Sequence, residues 1–315
     1  MWSCIFWGKF EEFERIFEQI PAKETWHHHA TSAAVVDTQI RQHGAPNLLF
    51  VTNEVLAQNS ADLLKIKAAT PSISVVLTYT QPNTQENIQW LRVVPVIDHL
   101  IAMNSETTKD FIERLATPEG REAVAKNPEN LFLPSGASKE RTHVLKHVDE
   151  CKMCYEKLHE YVERLGCFTG FSEIMTTAAS EMLTNAFYNG RKNPLTGRAQ
   201  VIDRRVKFGL DNNESVEFSY GQDGKYVWLM VRDSFGSLDR MTVIRALDRA
   251  ATERTAKLNP ETGAGLGLIM LFEWASEMGF SLVQGKSTTI TCKFKMTKRQ
   301  REFDSEHSAV HLVVG

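Results

Sequence analysis

Along the first third of the chain, short apolar runs alternate with amphipathic stretches of a longer period. The runs CIFW, NLLFV, SISVVL and VIDHLIAM are compact enough for buried strands, whereas FEEFERIFEQI, TSAAVVDTQIRQ, DLLKIKAA, QENIQWLRV and TTKDFIERL carry helical spacing. With residues 24–29 as a further, weaker strand, the pattern predicts five βα units and a parallel sheet covered on both faces. Pro118, Gly120, Pro128, Pro134 and Gly136 break the rhythm and predict a linker over 118–139. Beyond it Val144, Val148, Cys151, Tyr155, Leu158, Val162 and Leu165 recur at alternating spacings of four and three. That heptad seam predicts one helix over 140–165, closed by Gly166 and suited to packing on the next domain or on a second copy as a homodimer.

A second helix is predicted over 172–189, with Ser172 as N-cap and Gly190 as the stop. Met175, Ala179, Met182, Leu183 and Ala186 form its apolar seam; Thr177, Glu181, Thr184, Asn185, Tyr188 and Asn189 gather on the other side. A hairpin follows, with strands at 215–220 and 225–232 around 221–224, and SLVQGKSTTITCKFKM supplies two more short strands.

With 315 residues, 42% hydrophobic and 24% charged, the chain is long enough for two separate cores. A formal charge of −3 gives no reason to expect a nucleic-acid partner. The start, MWSCIFWGKFEEFE, turns acidic too soon for a signal peptide, and no apolar run reaches bilayer length, so a cytoplasmic protein without membrane contact is expected. Five cysteines, odd and sparse, fit reduced thiols.

In length and rhythm, residues 1–117 resemble the receiver domain of response regulators, a flavodoxin-like fold. The chemistry departs from that family. Gly8 and Lys9 follow the first strand, Val51, Thr52 and Asn53 end the third, and Met103, Asn104 and Ser105 end the fifth; only Thr78 or Thr80, after the fourth, is acceptable. Without clustered carboxylates there is nothing to hold Mg²⁺ or accept a phosphoryl group, so a pseudo-receiver that binds a partner or dimerises is expected. In the run His27, His28, His29, only His27 and His29 share a strand face, which favours an exposed or edge-strand histidine run over a metal site.

Glu181 and Asn185, one helical turn apart, suit a magnesium–nucleotide site: the carboxamide oxygen can bind the ion without adding charge, and the carboxylate can polarise a hydroxyl or water. Asp233 at a strand end beside Gly236 can accept from an exocyclic amine. Gly263, Gly265 and Gly267, running through Leu266 and Leu268 into a helix, present free N–H groups to an anion. His143, His147, Cys151 and Cys154 fall at spacings of four, four and three, so a helix would bring these zinc-binding types together; against zinc, a heptad helix buries cysteine readily. His147-x3-Cys151-x2-Cys154 also matches the signature of zinc-binding anti-sigma factors.

Glu181-x3-Asn185-Ala186, Asp233-Ser-Phe-Gly236, Gly263-x-Gly265-Leu-Gly267-Leu268 and Gly285-Lys-Ser-Thr288-Thr289 occur in order. Together they resemble the GHKL ATPase superfamily of histidine-kinase catalytic domains, gyrase B, Hsp90 and MutL. SEMLTNAFYNG is closest to its anti-sigma-factor serine-kinase branch. The resemblance covers about 140–297 and leaves 298–315 as a tail that either packs back or engages a partner. It implies an α/β sandwich with a mixed sheet, ATP as ligand, Mg²⁺ on Asn185 and Glu181 as base. Asn189 would stand beside them, Asp233 would recognise adenine with Thr289 nearby, and the glycines would line the phosphates under a lid at 240–262. One departure stands out: Phe235 and Ser237 occupy the glycine positions of the second box, so Phe235 either stacks near the adenine or narrows its slot. The implied roles are phosphorylation of a protein Ser/Thr, or sequestration of a sigma factor, an anti-anti-sigma factor or a response regulator. The alternatives are a non-catalytic scaffold that senses ATP or ADP, and an atypical histidine kinase of a two-component system using His143 or His147. The usual His-Glu/Asp-x-x-x-Pro setting is absent around His147.

Overall fold

The computed structural model describes residues 2–10, 25–79, 84–103, 110, 111, 114, 117, 141–191, 205–253, 266–303 and 309–314. The chain is α/β and divides into two compact units, Met1–Leu131 with Ala309–His311, and Phe132–Ser308 with Leu312–Gly315. The first five strands pair in parallel, and the described pairings of the second unit are antiparallel.

In the first unit β1 (Trp2–Trp7), β2 (Thr25–Ala30), β3 (Leu48–Thr52), β4 (Ser74–Tyr79) and β5 (Ile97–Ala102) stand in the order 2-1-3-4-5, all parallel. That is the flavodoxin-like order. Leu48 to Val51 are wholly buried, as a strand covered on both faces requires. Three helices are described: α1 (Ala33–His43), α2 (Asn53–Ala69) and α3 (Thr84–Val93). Ser32 and Thr52 cap the first two, accepting from the N–H groups of Val35 and Val55. The expected helix in FEEFERIFEQI, most of that in TTKDFIERL, the linker and Thr80 lie outside the described residues. Part of the C-terminal tail packs back: Val310 and His311 pair antiparallel with Leu100 and His99. The buried Nδ1 atoms of His99 and His311 lie 2.9 Å apart, so one ring donates and the other accepts.

The second unit contains β6 (Arg141–Leu145), α4 (Cys151–Glu163), α5 (Phe171–Thr184), β7 (Val216–Gln222) and β8 (Tyr226–Asp233). Then come α6 (Arg240–Glu253), α7 (Leu266–Trp274), β9 (Glu277–Val283), β10 (Ser287–Lys295) and α8 (Gln300–Phe303). Its strands run 9-10-8-7-6, and every described pairing is antiparallel. Helix α5 is central: it touches α4, α7 and β8. Its buried Met175, Ala179, Met182 and Leu183 supply the apolar seam read from the sequence.

The single helix expected over 140–165 is corrected. Residues Arg141–Leu145 form a strand against β7, a 3₁₀ turn covers Val148–Glu150, and the helix starts at Cys151. The physical reason is a cap. Glu150 reaches back to the N–H groups of Lys146 (2.6 Å) and His147 (2.9 Å), while the His147 ring accepts from Asp149 N–H. Val144, counted in the heptad, is 61% exposed, whereas Cys151, Cys154, Leu158 and Val162 are buried.

Candidate functional site

Helix α5 begins one residue earlier than read. Gly170, at φ 95°, is its N-cap, a conformation that favours glycine. Ser172 is no cap: buried within the helix, it donates its hydroxyl to Glu163 of α4 and so ties the two helices. At the other end the α-helical bonds give way to a π-turn over Asn185–Asn189, a feature frequent at functional sites. The turn sets Asn189 Nδ2 3.0 Å from Asn185 Oδ1, so the carboxamide oxygen of Asn185 is held in a fixed orientation. Gly190 ends the turn for want of space rather than for its dihedrals. A Cβ there would stand 3.2 Å from the Ala186 carbonyl carbon and 2.9 Å from the Phe235 ring.

Glu181 projects from α5 onto the first turn of α7. A Cβ on Gly267 would fall 2.7 Å from its Cγ and 2.5 Å from its carboxyl carbon, so only a glycine lets the acid lie there. The structure thus brings together the acid and one glycine of the third motif. Leu268 is half-buried in the same turn, Leu266 begins the helix, and Gly263 and Gly265 lie outside the described residues. The first half of the expected lid is helix α6, with Val243, Ile244 and Leu247 buried. On its α4 side Glu181 borders a cavity of about 600 Å³ lined also by Tyr155, Ser180, Thr184, Lys152 and Lys207. Asn185, Asp233 and Gly267 are not in that lining.

Asp233 ends β8 and is 5% exposed. Its Oδ1 accepts from the N–H groups of Phe235 (2.8 Å) and Gly236 (3.2 Å). Burial outweighs these bonds and pushes the carboxyl up to about 6. Gly236, at φ 56°, lets this loop close on the β9–β10 turn, where a Cβ would stand 2.7 Å from Ser287 N.

Two sequence expectations change at this strand end. Thr288, not Thr289, is registered opposite Asp233 and shares its face; Thr289 is opposite Arg232, and alternation turns its side chain to the other side of the sheet. Counting by twos from Asp233 through a paired strand would have found it, once the register was known. Phe235 is engaged by Arg191, which lies outside all four motifs. The Arg191 guanidinium stands 5.8 Å from the ring centres of both Phe235 and Phe208, and is bound to Glu214 and, at 3.2 Å, to Asp211.

The zinc expectation is corrected. Among the described residues no three His, Cys, Asp or Glu side chains converge as metal ligands. His143 lies on β6 and stacks on Tyr220, His147 caps the 3₁₀ turn, and only Cys151 and Cys154 are on α4. Burial pushes the Cys151 thiol up to about 12 and that of Cys154 up to about 11, which opposes the thiolate a metal needs. No helix among the described residues is long and apolar enough to cross a membrane.

Neither a family model nor a curated protein matches this chain. Among solved structures, one similarity is to NtrX from Brucella abortus in complex with ADP, at 12% identity and a TM-score of 0.30. It covers 50% of this chain, and the chain spans 35% of that one. A likeness at this level carries no argument, and the ADP is a property of NtrX.

Proposed function

We propose that the second unit is a GHKL-like ATP·Mg²⁺ site and that the chain is a regulatory signalling protein, either phosphorylating a protein Ser/Thr or sequestering a regulator such as a sigma factor. The observation that carries this reading is the seating of Glu181 on Gly267, an acid of one predicted motif packed on a glycine of another. The residues fit the implied ligand in two further ways. Asn185 Oδ1 takes one hydrogen bond from Asn189 and keeps a second lone pair, the neutral hard oxygen that Mg²⁺ accepts. Asp233 is a desolvated carboxylate at a strand end, for which a base's exocyclic N–H would be a favourable partner.

When bound, ATP would supply the transferable γ-phosphoryl group. Asp233 would then orient the base, Asn185 the metal, and Glu181 would accept the proton of an attacking hydroxyl. Phe235, occupied by Arg191 and Gly190, shapes the end of α5 rather than stacking on the base. The close seating of Glu181 also favours a second reading, a nucleotide-sensing scaffold without turnover, because the acid is already packed. The two separate cleanly. With γ-labelled ATP and Mg²⁺, label release or transfer that is lost in Glu181→Gln supports the kinase-like reading. Nucleotide binding without any release supports the scaffold, and the absence of binding removes both.

A further inference from the structure

We propose that Trp26, His28 and His43 form a proton-operated latch that holds the end of α1 against β2. Trp26 and His28 lie on one face of β2, and His43 is the last residue of α1. Their ring centres close a triangle: 4.5 Å between His28 and His43, 4.9 Å between Trp26 and His28, and 5.5 Å between Trp26 and His43. The two imidazoles stack at an interplanar angle of 26°. Their faces meet, not their in-plane nitrogen lone pairs, so the pair is not shaped to share a metal ion. Protonation is the chemistry that changes this contact. Two imidazolium rings stacked at this distance repel, so the contact weakens as both rings become charged.

Among the described residues, neither β1 nor β2 carries a carboxylate to offset that repulsion. On β1 the residues registered against Trp26 and His28 are Ser3 and Ile5, both uncharged. The charged or titratable side chains of α1 are Asp37, Arg41 and His43, and β2 itself adds His27 and His29. Burial first, then His43, His27 and His29, hold the His28 imidazole below the ordinary histidine value of 6.5, and among the described residues no carboxylate counters them. A base that the fold keeps neutral is destabilising when charged. The latch is therefore closed above 6.5 and weakens as the pH falls below that value. Opening it loosens the last turn of α1, where Gly44 N–H donates to Ile40.

The test uses the full chain and does not depend on the nucleotide reading. Histidine ring signals are followed by NMR from pH 8 to pH 5 in wild type, His43→Gln and His28→Gln, with hydrogen exchange read at the Gly44 amide. The His28 midpoint should rise by about half a pH unit or more in His43→Gln. Protection at Gly44, corrected for intrinsic rate, should fall about tenfold between pH 7.5 and 5.5 in wild type but in neither variant. A His28 midpoint unmoved by His43→Gln, or a loss of protection equal in wild type and variants, overturns the latch. Because His43 is exposed at a helix end, its replacement leaves the fold intact, and His28→Gln repeats the exchange test from the strand side.

Discussion

Replacing Asp233 with Asn separates the stability of the second unit from its proposed ligand. The carboxyl rises from 3.8 to about 6, chiefly through burial. A rise of about two pH units, at about 1.4 kcal/mol each, means that keeping Asp233 ionised costs the fold about 3 kcal/mol. The sign follows from proton binding. Between 3.8 and about 6 the folded state holds the proton more tightly than the unfolded state, so this cost is absent below that window and complete above it. Asn keeps an oxygen for the N–H groups of Phe235 and Gly236 but loses the charge that strengthens those bonds. The net expectation for Asp233→Asn is a gain of about 1–2 kcal/mol at pH 7.5 and almost none at pH 4.5. Urea unfolding of both proteins at the two pH values measures it. The same variant should bind nucleotide about tenfold more weakly or worse, since an amide offers a base amine less than a carboxylate does. A variant less stable than wild type at pH 7.5, or a difference that does not change with pH, would refute the assignment of Asp233 as a strained, ligand-directed carboxylate.

Three further substitutions probe the same site. Gly267→Ala puts a methyl group where the Glu181 carboxyl lies, yet the obstructed group is the flexible end of a side chain, so the unfolding free energy should stay within about 1 kcal/mol while Mg²⁺-dependent nucleotide binding or turnover falls. Gly236→Ala should cost about 2–4 kcal/mol by chemical denaturation, because its φ of 56° disfavours alanine and its Cβ would press on the Ser287 amide. Phe235→Ala removes a half-buried ring from Arg191 and should cost about 2 kcal/mol by denaturation, with nucleotide affinity by calorimetry unchanged. A large loss of affinity in Phe235→Ala would return that ring to the base.

Much of this architecture could be read from local pattern, and the failures have a common cause. The short apolar runs of the first unit are buried on both faces, so their strands announce themselves through composition alone. The seam of α5 survives because Met175, Ala179, Met182 and Leu183 are all core residues. Residues 141–150 misled because Val144, Val148 and Cys151 fit a heptad by spacing, while the Glu150 cap and the pairing with β7 decide the local structure. Neither contact is visible without the partner strand. Thr288 was missed for the same reason: which of two adjacent threonines faces Asp233 depends on register across β8 and β10. Arg191 stands outside all four motifs, and its contacts with Phe208, Asp211, Glu214 and Phe235 form only in the fold.

The central claim is tested most directly by titrating ATP into the purified chain in a calorimeter, with and without Mg²⁺, beside Asn185→Ala. The account predicts saturable binding that tightens with Mg²⁺ in wild type and loses that dependence in the variant. Absence of ATP binding in wild type, or an Mg²⁺ effect that persists undiminished in Asn185→Ala, would contradict it.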